Sequence, residues 1–492
     1  MSEVKPDGKK FMAALFLFSL LLRLMLSPLH INEPSMPFDF YSYTAGGGCF
    51  IDAIRGQREC LQTLDSEFQN RYGPMFNLIM AVWIYLFGPN FLLLKMPGIL
   101  FDSITPVLIY LIALRLSKHD DAVYSALLYS TSYLTLLSAG LWGNDDSFFM
   151  PFAFASVLLV LKGRNGWGLF SLAIACLFKS APLALLLPFL AFFYRNGGWR
   201  ASLKYAFVFS LLLCLLYSPY LYLAGRTALI PFTAPLSWGV EGLSPLNLVK
   251  FTYALPYHVL HPELPRSFSS RDPKDPWNLQ GDTLFARVLR SITLPFSLAG
   301  ILLYGFYVLK FRLEDRELEL VRNIVLVFMV FLFFSKVIYS AYYLWFLPFL
   351  FIMYSRRSGF AGVTRVTAFG FLLILLALVV YGVRFRASDA ILPWYDMALM
   401  YLCVALATFG THLTFTHLRG PARACMLFFV FIFLLDSFVT AKLPMLFYPI
   451  VKGVITYELA RLVAYYGMWY ILILMNVAAF IWLFVVIHRT RD

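Results

Sequence analysis

Long apolar stretches separated by short polar breaks recur along the chain, and most are long enough to be read as helices crossing a bilayer. The first is Phe11 to Leu29. Others follow at Gly98 to Leu116, Ala122 to Gly140, Ser147 to Leu161, Gly166 to Phe178, Ala181 to Tyr194 and Ser202 to Leu223. The second half adds Leu289 to Leu309, Asn323 to Ile338, Ala341 to Tyr354, Val366 to Val383, Trp394 to Phe409, Cys425 to Thr440 and Met468 to Ile487. Barrel strands would alternate apolar and polar positions every second residue, and these runs do not. The expected fold class is therefore all-α, a polytopic integral membrane helical bundle of about 12–15 spans.

Two polar stretches interrupt this pattern, residues 30–73 and 224–287, and both are read as outer loops of a single domain covering 1–492. The apolar stretch Pro74 to Leu94 fits a re-entrant or interfacial segment better than a crossing, because a crossing would put the basic residues at Arg115 on the wrong side. The alternative is that it crosses and that Gly166 to Tyr194 forms one helix broken near Lys179 and Pro182.

Composition agrees: 60% of the 492 residues are hydrophobic and only 14% are charged, too few to cover a soluble globule. The net charge of +13 comes from short clusters between apolar runs, which is the positive-inside pattern of a membrane protein and no nucleic-acid face. Arg115 with Lys118, Lys162 with Arg164, Arg195 with Arg200, Arg312 with Arg316, Arg356 with Arg357 and Arg419 with Arg423 all fall inside, as do both termini. Lys5, Lys9 and Lys10 precede a first span that contains Arg23 and lacks a small-residue cleavage site, so it reads as a retained helix. The acidic run Leu313 to Leu318 reads as a solvated inner turn.

Of six cysteines, Cys176, Cys214, Cys403 and Cys425 fall in or beside apolar runs, as packing or lipid-facing residues. Cys49 and Cys60 share the first outer loop and are candidates for a disulfide.

That loop also holds Asp39, flanked by Phe38, Phe40, Tyr41 and Tyr43. Aromatic walls desolvate a carboxylate and stack on sugar rings, the setting a general base needs. Glu33, Asp52, Asp65 and Glu67 lie in the same loop. Tyr41 stands where a DxD pair would have its second acid, so no motif supports a metal-bridged phosphate, and a divalent cation stays open. Asn144, Asp145 and Asp146 form a turn between two spans, where a plain polar turn or helix N-terminal charge would also account for them. Lys179 interrupts an apolar hairpin and Lys336 sits near the outer end of its span; an intramembrane lysine costs about 2.5–3.5 kcal/mol on insertion scales and marks a functional site unless it snorkels. His258, His261, Arg266 and Arg271 in the second loop are candidate phosphate or acceptor contacts; the histidines lack a helical ligand pattern, so zinc is not expected.

Taken in order, Asp39, RYGP at Arg71 to Pro74, GNDDS at Gly143 to Ser147, FKSAPLALLLP at Phe178 to Pro188 and SKVIYSAYYLWFLPFL at Ser335 to Leu350 resemble the GT-C superfamily of integral membrane glycosyltransferases. Within it the chain looks most like mannosyltransferases related to GPI mannosyltransferase I and their prokaryotic relatives. The resemblance implies an inverting transfer of a hexose, mannose favoured, from a polyprenyl-phosphate donor to a lipid-linked or glycan acceptor at the outer face. Asp39 would be the base; Arg71, Tyr72, Lys336 and Arg266 would hold the donor phosphate; Asp145, Asp146 and Glu33 would be secondary acids; Lys179, His258 and Tyr342 would line the site. A prokaryotic plasma membrane is favoured over an endoplasmic reticulum. A lipid-linked oligosaccharide flippase would carry paired half-repeats, which are not evident. A polysaccharide polymerase or ligase would place its arginine-rich site in a later loop.

Overall fold

The computed structural model describes residues 6–27, 38–63, 72–232, 241–249, 284–335, 337–338, 340–354 and 457–489, with isolated positions at 252, 424, 428, 429 and 432. Among them the chain is helical apart from a two-residue parallel pairing of β1 (Glu241–Gly242) with β2 (Val337–Ile338). The all-α expectation holds. Three segments, Phe91–Leu116, Ala181–Phe232 and Tyr470–His488, are long and apolar enough to cross a membrane. The spans expected at Val366 to Val383 and Trp394 to Phe409 lie outside the described residues, as does most of Cys425 to Thr440.

The chain divides into two units, the first built mainly from residues 1–236. It opens with α1 (Pro6–Leu26), α2 (Phe38–Ile54), the short α3 (Glu59–Thr63) and α4 (Pro74–Phe87). The first loop is thus not a polar loop: Phe40, Tyr43, Gly47 and Phe50 recur at helical spacing, and their face of α2 packs inward. A Cβ on Gly47 would fall 2.8 Å from Ile84 Cδ1 and 3.0 Å from Met80 Cβ, so glycine lets α2 lie directly against α4.

α4 has 14 residues, about 21 Å at 1.5 Å per residue, against a hydrocarbon core of about 30 Å. Tyr72 before it touches Tyr43, and Phe91 after it touches Phe40, one turn away on α2. The two flanks of α4 are therefore brought to neighbouring turns of α2.

α5 (Phe91–Leu116) begins seven residues earlier than expected from Gly98, because Asn90 caps it by accepting from the amides of Leu92 and Leu93. Pro97 and Gly98 hid that start. α6 (His119–Thr131) is followed by one helical turn and a π-helical segment, Leu136–Trp142, which ends in the left-handed Gly143. Then come α7 (Asp146–Leu161), α8 (Asn165–Phe178) and α9 (Leu186–Ala224). α9 is two arms joined at Gly198, whose φ of 72° breaks the helix. The Ser202 hydroxyl donates to the Leu190 carbonyl and Phe193 packs on Tyr205, so the arms fold back on each other, as the two separate spans expected there require.

The acidic run is a clamp rather than a solvated turn. Glu317 receives Arg115 at 2.5 Å, and Glu319, 6% exposed, pairs with Arg195. Arg316 donates to Asn196. These pairs gather the basic ends of α5 and of the first arm of α9 around the start of the helix Arg316–Phe333.

The second unit contains α10 (Leu284–Lys310), most of the last third of α11 (Arg316–Phe333), the start of α12 (Leu347–Tyr354) and α13 (Tyr457–Arg489). Asn476, buried in α13, accepts from the Tyr343 hydroxyl at 2.6 Å and donates to the Leu243 carbonyl at 3.0 Å. An apolar helix thereby holds the β1–β2 pair and the turn Ser340–Trp345.

Candidate active site

In the first unit, motifs far apart in sequence meet around Tyr43. Its ring packs against Tyr72 of the RYGP motif at 5.1 Å and against Phe76 at 4.8 Å. Its hydroxyl donates to the carbonyl of Gly143, which opens the GNDDS turn. The amide of Gly73 donates to the Phe178 carbonyl at 2.9 Å, and Gly73 sits so close to the Leu177 carbonyl that no side chain fits there. RYGP is thereby docked on the residue before Lys179.

Lys179 closes the ring of contacts. Its ammonium lies 2.6 Å from Asp146 Oδ1 and 2.9 Å from Asp145 Oδ2. Asp146 is fully buried, and Asp145 makes no side-chain cap bond, so these acids form a charge cluster; helix capping does not account for them. Asn144 Oδ1 accepts the Asp146 amide and shapes the turn. Two carboxylates thus converge on one ammonium. Lys179 already occupies the space between the carboxylates, so a divalent cation does not fit there in this arrangement. Among the described residues no three of His, Cys, Asp and Glu converge on a metal position.

Lys95 was not picked out from sequence, because FLLLKMPG reads as one apolar run. It is 1% exposed, with Nζ 3.3 Å from the Ser27 carbonyl and 4.7 Å above the Phe91 ring. A Cβ on Gly143 would fall 2.8 Å from Lys95 Cγ and 3.1 Å from Phe40 Cζ. Gly143 is thus glycine both for its left-handed φ and for the approach of this cation. The signal was present: a lysine one turn after an Asn cap cannot be lipid-facing without cost.

Asp39 lies in the first turn of α2, with its backbone beside Phe40 at the edge of this cluster; its side chain is outside the described residues. Glu33, Arg71, His258, His261, Arg266, Arg271 and Lys336 are also outside them. Tyr342, in the second unit, stacks on Trp345 at 4.4 Å. Cys49 and Cys60 form a disulfide with Cα atoms 5.2 Å apart. It ties the end of α2 to α3, which is held in turn by Thr227 donating to the Leu61 carbonyl and by Arg58 over the Tyr222 ring. The residues that carry the motifs are thus fixed from both ends of α2.

Residues 71–238 match the family described as dolichyl-phosphate-mannose-protein mannosyltransferase. This match spans about a third of the chain and contains RYGP, Lys95, the GNDDS turn and Lys179, so the GT-C likeness read from the motif order is met where the motifs converge. The chain is similar in structure to ArnT from Cupriavidus metallidurans, bound to undecaprenyl phosphate and in the apo state, with TM-scores of 0.44 and 0.47. Identity is 14% in both cases, over 96% of this chain and 77% of that one. No curated protein matches it by sequence. Among the described residues the chain has three helices long and apolar enough to cross a membrane, and its candidate site lies largely in the segment that matches that family.

Proposed function

We propose that the protein is an inverting glycosyltransferase that moves a hexose, mannose favoured, from a polyprenyl-phosphate donor to a lipid-linked or glycan acceptor at the outer membrane face. The observation that carries this reading is the meeting of Tyr72, Lys95, Gly143, Asp145, Asp146 and Lys179, all in the segment that matches the mannosyltransferase family, around Tyr43 of α2.

In this reading Asp39 takes the proton from the acceptor hydroxyl, and that oxygen attacks the anomeric carbon. The bond from C1 to the phosphate oxygen breaks with inversion, and the electron pair leaves with the polyprenyl phosphate. Phosphate is a good leaving group and needs cations more than an acid, so Lys95 joins Arg71, Tyr72, Lys336 and Arg266 as a group that stabilises it. Asp145 and Asp146 serve as secondary acids in this reading, and the orientation of the bound sugar is itself a large contribution to the rate. The prolines and mixed charges of residues 224–287 suit a cover over the outer face, and the host membrane is a prokaryotic plasma membrane in this reading.

Purified protein assayed with a panel of radiolabelled polyprenyl-phosphate sugars and free sugar nucleotides tests the proposal. Transfer from a polyprenyl-phosphate hexose is expected, and mannose to be the best. Transfer from none of the panel, together with movement of labelled lipid-linked oligosaccharide across vesicles, would instead establish the flippase reading.

A further inference from the structure

Arg23 stands in the last turn of the apolar α1 and is fully buried. Its Nε lies 2.5 Å from Asp102 Oδ2 on α5, and its Nη1 donates to the hydroxyl and the carbonyl of Ser19 at 2.6 and 3.0 Å. Tyr129 of α6, also buried, donates its hydroxyl to the other Asp102 oxygen at 2.5 Å. None of these groups belongs to the cluster around Tyr43. A buried ion pair adds little stability over a well-packed apolar substitute, while loss of one partner is severe. Ionisable groups inside a bilayer mark function by default.

Two contacts connect the network to the acidic turn. The Thr135 hydroxyl donates to the Tyr129 carbonyl at 2.7 Å, where the π-helical segment begins. Gly140, inside that segment, lies on the backbone of Arg23, so that a Cβ would fall 3.2 Å from both Arg23 Cα and its carbonyl oxygen. From there the Asn144 amide donates to the Ser138 carbonyl at 2.8 Å, and the chain delivers Asp145 and Asp146 to Lys179. A π-helical turn carries an extra residue, is intrinsically poor and occurs mostly at functional sites. It needs support from outside itself.

We infer that Arg23, Asp102 and Tyr129 are positioning residues, which hold the segment 136–142 so that Asp145 and Asp146 meet Lys179. They act on transfer through that turn and touch no substrate. The kinetic part of this inference rests on the transferase reading above; the structural part does not.

Tyr129→Phe removes one hydroxyl from the network, and Gly140→Ala pushes the segment away from Arg23. Amide hydrogen exchange of the full chain in detergent, read by mass spectrometry over residues 138–147 and over residues 165–178 as reference, tests both variants. Loss of one hydrogen bond to a charged group is expected to speed exchange in 138–147 by about tenfold. Exchange in 165–178 stays at the wild-type rate, and kcat for sugar transfer falls with KM for the donor unchanged. Wild-type exchange in 138–147 in both variants overturns the inference. So does an equal rise in both segments with a lowered melting temperature, which would mean a general loss of stability. If the wild type transfers no sugar, the transferase reading falls, and the exchange comparison still decides the inference.

Discussion

Two ion pairs in the first unit differ in how far water reaches them. At the level expected from charge to face outward, Lys179 is held by two acids, one of them fully buried. At the level expected to face inward, the Arg115–Glu317 pair leaves the two side chains 39% and 32% exposed, although Arg195–Glu319 in the same clamp is largely buried. Removing one partner of a buried pair leaves a charge without solvent, at a cost of about 3–5 kcal/mol. A solvated pair contributes about 0–1 kcal/mol and is screened by salt. The outer cluster is therefore an expensive arrangement, and Arg115–Glu317 is the inexpensive part of the inner clamp, whose Arg195–Glu319 pair is buried.

The sharpest way to break that contrast is Lys179→Met. It takes the ammonium away from the buried Asp146 and from Asp145 and is expected to destabilise the protein by about 3–5 kcal/mol, read as a fall in melting temperature in detergent, with transfer lost. A fall no larger than that of a surface variant would mean that the outer acids are solvated after all. Opening the disulfide with Cys49→Ser and Cys60→Ser together is next in size. An 11-residue separation predicts a loss of about 2–3 kcal/mol, and donor turnover should fall with it, because α2 is then fixed at one end only. Turnover unchanged at full occupancy would separate α2 from the site. Smallest is Glu317→Gln, expected to change stability by under about 1 kcal/mol. The loss should vanish in 0.5 M salt, where the Debye length is under about 5 Å. A loss that survives such salt would make the inner clamp a buried structural element as well.

Much of the outer cluster was legible before the fold was seen, for a definite reason. GNDDS, RYGP and the lysine after Phe178 are polar interruptions of apolar runs, and in a membrane such interruptions cost too much to be incidental. Their order along the chain did not show that Tyr43 and Gly73 would be the joints between them, since a ring contact and a backbone hydrogen bond leave no sequence signature. Lys95 was hidden by its neighbours, because a single cation in FLLLKMPG barely lowers the hydropathy of the run. α2 was hidden in the same way from the opposite side: three consecutive glycines and a polar composition pointed to a loop, although Phe40, Tyr43, Gly47 and Phe50 kept helical spacing. The inner clamp was missed because LEDREL looks like any solvated turn until the arginines of other helices are brought to it.

The central claim is that the outer cluster is a glycosyl-transfer site with its base on the first turn of α2. Asp39→Asn, expressed and inserted like the wild type and melting at the same temperature, tests it most directly in an assay with a polyprenyl-phosphate hexose and acceptor. The expected result is loss of transfer by about 100-fold or more, the scale of a removed general base. Wild-type turnover by that variant would contradict the account.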